Sequence, residues 1–65
     1  MVQINGAEKS GYENVSVEDM VAEEGFDKSR IAVEINGEIV SKGDYKQALL
    51  HDGDVIEVVS FVGGG

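Results

Sequence analysis

Sixty-five residues, 42% of them apolar, with a net charge of −8 and no cysteine, make a small acidic chain with room for one folded domain. The missing thiols exclude disulfide staples, cysteine nucleophiles and thiolate metal sites, and the negative balance repels the phosphate backbone of nucleic acids. No stretch is long or apolar enough to span a membrane and no charged-then-apolar leader opens the chain, so a cytoplasmic location is expected.

Val2 and Ile4 flank Gln3 in the alternation of a half-buried strand. Asn5-Gly6 follows, and this pair suits a type I′ hairpin, in which both central residues take positive φ. A returning strand is expected from Ala7 to about Tyr12, with Ser10-Gly11 as a weak point. Ser16 then reads as a helix N-cap, with Asp19 in the capping-box position and Val15 paired with Met20 as a hydrophobic staple. Glu18 and Asp19 suit the positive end of the helix dipole, whereas Glu23 and Glu24 sit at the unfavourable end. Val17, Met20 and Val21 fall on one stripe and are the expected core contacts. Gly25 is placed to end the helix, and Phe26 to fold back onto its apolar face.

Ile31, Val33 and Ile35 alternate with polar or small neighbours, and Asn36-Gly37 repeats the hairpin signal before Glu38-Ile39-Val40 returns. Two such hairpins around one capped helix predict an α+β layout with the helix on one face of the sheet. Between Ser41 and Leu50, Gly43 interrupts, yet Tyr45, Ala48 and Leu49 have helical spacing, which predicts a short helical turn with Leu50 in the core. His51-Asp52-Gly53-Asp54 is a polar turn leading into a last strand from Val55. There Ile56 and Val58 should face the helix while Glu57 faces water. Val59 and Phe61 then share the Glu57 face, which makes them candidate partner-contact residues unless a neighbouring segment covers them.

No enzyme site emerges from these residues. A single histidine without thiols makes no structural zinc site, and Asp52-Gly53-Asp54 lacks the further oxygen ligands and closing Glu of a calcium loop. None of the serines sits in a nucleophile elbow. What remains is Gly63-Gly64-Gly65, directly after the last apolar run. Taken alone, three glycines fit either a frayed terminus or a tail slim enough to enter a narrow passage.

The two hairpins, the single helix, the Asp-Gly-Asp turn and the run Phe61-Val62-Gly63-Gly64-Gly65 together resemble the thiamine-biosynthesis sulfur carrier (ThiS) family along the whole chain. The resemblance implies a ubiquitin-like β-grasp fold: a mixed sheet of four to five strands with one main helix on one face, and the first and last strands parallel at its centre. It divides the chain into a β-grasp domain over residues 1–62 and a flexible glycine tail over 63–65. It implies a carrier and co-substrate that binds no cofactor and is not itself an enzyme. A partner adenylating enzyme of the ubiquitin-activating kind would use ATP and magnesium on the carboxylate of Gly65. A persulfide donor protein would supply sulfur, and thiazole synthase would receive it from the resulting thiocarboxylate. Gly64 and, less sharply, Gly63 are the tail positions that carry over. Extended from Phe61, such a tail could reach roughly 15 Å. Two other readings stay open: a molybdopterin-type sulfur carrier, and a ubiquitin-like modifier joined to lysines. No nucleic-acid or membrane partner is expected.

Overall fold

A computed structural model describes residues 1–61. Two residues at each Asn-Gly pair do what the sequence requires of them. Asn5 and Gly6 take φ of 49° and 84°, and Asn36 and Gly37 take 52° and 86°, the paired positive values of a type I′ turn. The first turn joins β1 (Val2–Ile4) to β2 (Ala7–Lys9), and the second joins β3 (Ile31–Ile35) to β4 (Glu38–Val40). β2 is shorter than the expected strand to Tyr12. The chain leaves the ladder after Lys9, Gly11 turns at φ 88°, and Tyr12 drops into the core instead of continuing the edge.

The last strand, β5 (Val55–Ser60), lies at the centre of a five-stranded sheet ordered β2-β1-β5-β3-β4. It runs parallel to β1 and antiparallel to β3, with Ile31 opposite Ser60 and Ile35 opposite Ile56. The sheet is therefore mixed, and its central strand is the one that leads to the glycines.

One helix, α1 (Val17–Glu23), packs its apolar stripe on the sheet: Val17, Met20 and Val21 are buried as the spacing predicts. The Ser16 hydroxyl accepts from the Asp19 N–H at 3.0 Å and closes the first turn. At the other end the Gly25 N–H donates to the Ala22 carbonyl and the Phe26 N–H to the Val21 carbonyl, the two bonds of a Schellman motif. Gly25 takes φ 80° to allow it, and Phe26 packs against the core. Glu24, placed unfavourably for the helix dipole, is used otherwise. It accepts from the Tyr12 hydroxyl at 2.5 Å and pairs with Lys9 at 3.4 Å, tying the β2–α1 connection to the helix end. Burial, with Glu24 adding to it, pushes the Tyr12 phenol up to about 12.

Residues 41–50 contain a 3-10 turn at Lys42–Asp44. Its purpose is the delivery of Tyr45 and Leu50, both fully buried under the sheet. Lys28 lies 5.5 Å from the Tyr45 ring centre and reaches Glu18 at 2.7 Å, so one cation links the loop, the helix and the 3-10 turn at Lys28–Arg30. Leu49, which has helical spacing with Tyr45, instead points outward, and its backbone forms an isolated bridge with Ser16. Leu49 lies beyond the turn, in extended backbone where neighbouring side chains point to opposite sides, and Leu50 takes the buried one.

Candidate functional site

The strand that precedes the glycines in the sequence is β5. Its start is fixed by the turn at His51–Asp54. The Asp54 N–H donates to the His51 carbonyl at 3.0 Å, the Asp54 carboxylate accepts from the His51 N–H at 2.8 Å, and Gly53 takes φ 88°. Gly53 also donates to the Met1 carbonyl at 2.7 Å. Asp52 meets the Met1 ammonium, which also lies 2.9 Å from Glu13. These bonds, Asp52 first, raise the amine to about 10 and hold both carboxyls below their usual range. Both aspartates of the turn are thus committed to protein groups. Among the described residues no cluster of three or more His, Cys, Asp or Glu side chains could hold a metal.

The hairpin asparagines hold the same strand from both sides. Asn5 accepts from the Val58 N–H at 2.7 Å through its side-chain oxygen and donates to the Val58 carbonyl at 3.2 Å through its nitrogen. Asn36 accepts from the Val55 N–H at 2.9 Å, donates to the Asp54 carboxylate at 3.0 Å, and its backbone N–H reaches the Val55 carbonyl at 2.8 Å. A side-chain amide carries one donor face and one acceptor face, so at Val58 it substitutes for a missing stretch of neighbouring strand. In the sequence these asparagines read as turn residues alone. The available signal was that Asn, unlike Gly at the same turn position, brings an amide with it.

The far end of β5 is less enclosed. The Phe61 N–H donates to the Arg30 carbonyl at 2.7 Å, the last backbone bond among the described residues. Val59 and Phe61 are 51% and 55% exposed, so no strand or loop among the described residues covers them, whereas Ile56 and Val58 on the opposite face are buried. The register sets Val59 beside Ala32 and sets Glu57 directly opposite Glu34, which in turn faces Ile39 on β4. The sheet face turned away from α1 is therefore a mixture of exposed aliphatic groups and carboxylates. Two like charges directly opposite on adjacent strands disfavour each other, a tension that a cation laid across them would relieve. The structure brings Val59 and Phe61 to the strand that leads toward the tail, while Gly63, Gly64 and Gly65, and the domain boundary expected after residue 62, lie outside the described residues.

Comparison with known proteins gives a consistent picture. The model of the ThiS family matches residues 2–65. The sulfur carrier protein ThiS of Bacillus subtilis is 39% identical over 66 aligned positions that cover 100% of both chains. A thiazole synthase of Paramagnetospirillum magneticum is 45% identical over 95% of this chain, which spans only 19% of that protein's length. The crystal structure of a thiamine biosynthesis protein (ThiS) from Geobacter metallireducens superposes with a TM-score of 0.80 at 27% identity, covering 98% of this chain and 97% of the other. That likeness extends to the β-grasp arrangement of five mixed strands around one helix. Among the described residues no helix is long and apolar enough to cross a membrane.

Proposed function

The chain belongs to the ThiS family, and on that premise we propose that it carries sulfur for thiamine (thiazole) biosynthesis as a thiocarboxylate on Gly65. The observation that carries the reading is the placement of β5. It is the central strand of the sheet, held by β1, β3 and two asparagine side chains, and in the sequence it ends three residues before Gly63. A carrier that must present one carboxylate to successive enzymes gains from a rigid base, because a fixed origin limits the space the reactive end has to search.

In the proposed cycle a partner adenylating enzyme binds ATP and magnesium. A carboxylate oxygen of Gly65 attacks the α-phosphorus and pyrophosphate leaves. The terminal sulfur of a persulfide on a donor protein then attacks the activated carbonyl and expels AMP. A second thiol cleaves the sulfur–sulfur bond, leaving the thiocarboxylate on Gly65 and a disulfide between the two thiols. This chain has no cysteine, so both thiols belong to partners. Gly63 and Gly64 serve by lacking Cβ atoms where the tail threads into the adenylation site. Val59 and Phe61 contact the adenylating enzyme. That a thiazole synthase contains a stretch 45% identical to this chain supports thiazole synthase as the receiving partner, and favours the thiazole branch over a molybdopterin-type carrier or a lysine modifier.

Intact-mass measurement tests the proposal. After incubation with adenylating enzyme, ATP and a persulfide donor, one oxygen is expected to be replaced by sulfur, and a chain shortened by Gly65 should neither gain sulfur nor support thiazole formation. Sulfur transfer by the shortened chain overturns the assignment to Gly65, and adducts on lysines of other proteins would show a modifier instead.

A further inference from the structure

The β4 edge offers a surface that the proposed sulfur chemistry does not use. β4 ends the sheet order, so among the described residues its outer side has no neighbouring strand. In a two-residue hairpin the residues flanking the turn, Ile35 and Glu38, form a hydrogen-bonded pair, and the next pair outward is a non-bonded one. That next pair is Glu34 and Ile39. The N–H and carbonyl of Ile39 therefore face away from β3, toward the open edge. The Ile39 side chain is 74% exposed, more than any other large apolar group among the described residues.

A groove of about 490 Å³ runs alongside this edge, between β4 and residues 44–51. Ile35, Val40 and Ala48, all partly buried against the core, line it with the exposed Leu49 on the α1 side of the sheet, while the register turns the Ile39 side chain to the other face. Glu38, Asp44 and Asp54 add carboxylates, with His51 the one basic side chain in the lining. Exposed backbone groups, an aliphatic lining and an acidic rim together specify an occupant.

We propose that the β4 edge docks an extended, basic segment of a partner protein, pairing with the backbone of Ile39, setting an aliphatic side chain beside Ile39 on the sheet face away from α1 and laying the stems of the flanking lysines or arginines over the groove's aliphatic lining, with their charges against Glu38 and Asp44. Strand addition of this kind takes affinity from the main chain and selectivity from alternate side chains. A second copy of this chain is the poorer occupant. Pairing β4 with itself would bring together two chains of net charge −8, with Glu38 on both sides of the contact. The location also distinguishes this surface from the tail. Ile35 and Asn36 lie beside the start of β5, at Ile56 and Val55, whereas Phe61 lies beside Arg30 at its other end. A partner held at the groove would leave the tail end accessible for reaction.

The test is a titration of the isotope-labelled full chain, followed by amide NMR, with a blocked Lys-Val-Lys-Val-Lys peptide. Shifts confined to Ile39, Val40, Ala48 and Leu49, with slowed exchange of the Ile39 amide, are expected. Ile39→Pro removes the outward N–H without touching the bonds to β3 and should weaken binding by roughly tenfold or more. Glu38→Lys, at an exposed position, should weaken it comparably and guards against a folding defect in the proline variant. The proposal is overturned by any of four results: no binding at millimolar peptide, equal binding of Lys-Gly-Lys-Gly-Lys, unchanged affinity in both variants, or edge shifts that follow protein concentration alone.

Discussion

The two faces of β5 are built from the same kinds of residue and serve opposite ends. Ile56 and Val58 point at α1 and are buried, while Val55, Val59 and Phe61 point the other way and stay between 42% and 55% exposed. Aliphatic content alone does not distinguish them. The difference is what stands opposite: a capped helix and the buried Tyr45 and Leu50 on one side, nothing from this chain's described residues on the other. A small domain has little apolar surface to spare, and the large side chains left outside this core are the ones that the proposed partner contact would use.

The sharpest way to break the comparison is to empty the buried face. Ile56→Ala removes a fully buried side chain from the central strand and should destabilise by about 2–5 kcal/mol. A chain of this size has roughly 3–10 kcal/mol in total, so the variant should be largely or partly unfolded. The urea midpoint followed by circular dichroism measures it; a shift as small as that of a surface variant would mean that the sheet closes over the space.

Between the faces lie the asparagines that hold the strand's edges. Asn5→Gly keeps a residue able to adopt φ near 49° and removes only the amide pair to Val58. A loss of about 1–3 kcal/mol is expected from two hydrogen bonds and the added chain entropy of glycine. Hydrogen exchange should quicken most at the Val58 amide. If the loss were confined to the turn and Val58 stayed protected, the asparagine would be no more than a turn residue.

Much of this architecture was legible in the chain. Both Asn-Gly turns, the Ser16 cap, the Gly25 stop and the alternation of β3 and β5 are local signals, and each is realised where its chemistry puts it. What escaped was non-local. Tyr12 leaves the strand ladder because the core needs its ring, and nothing within residues 7–12 says so. Leu49 turns outward because it bridges Ser16, 33 positions away, in extended backbone that gives the inward direction to Leu50. The amide contacts of Asn5 join residues 53 positions apart, a distance over which no periodicity reports. The candidate site divides the same way. Exposure of Val59 and Phe61 followed from strand parity, whereas the edge beside Ile39 required knowing that β4 ends the sheet.

The exposed face gives the smallest effect on folding and the clearest one on function. Phe61→Asp replaces a half-exposed ring on the open side of the sheet, where water already solvates much of the position. Its urea midpoint should move by no more than about 0.5 kcal/mol, as for an ordinary surface change. Binding to the adenylating enzyme should fall by about 2 kcal/mol or more, since a buried aromatic anchor is lost and a carboxylate is left facing an interface already rich in them. Phe61→Leu should restore part of the affinity, because it returns apolar area without charge. Calorimetry on the three proteins separates the possibilities. Equal binding by all three would leave Phe61 as exposed surface without a partner; a large folding defect in the aspartate variant would make Phe61 a part of the fold and not of a contact.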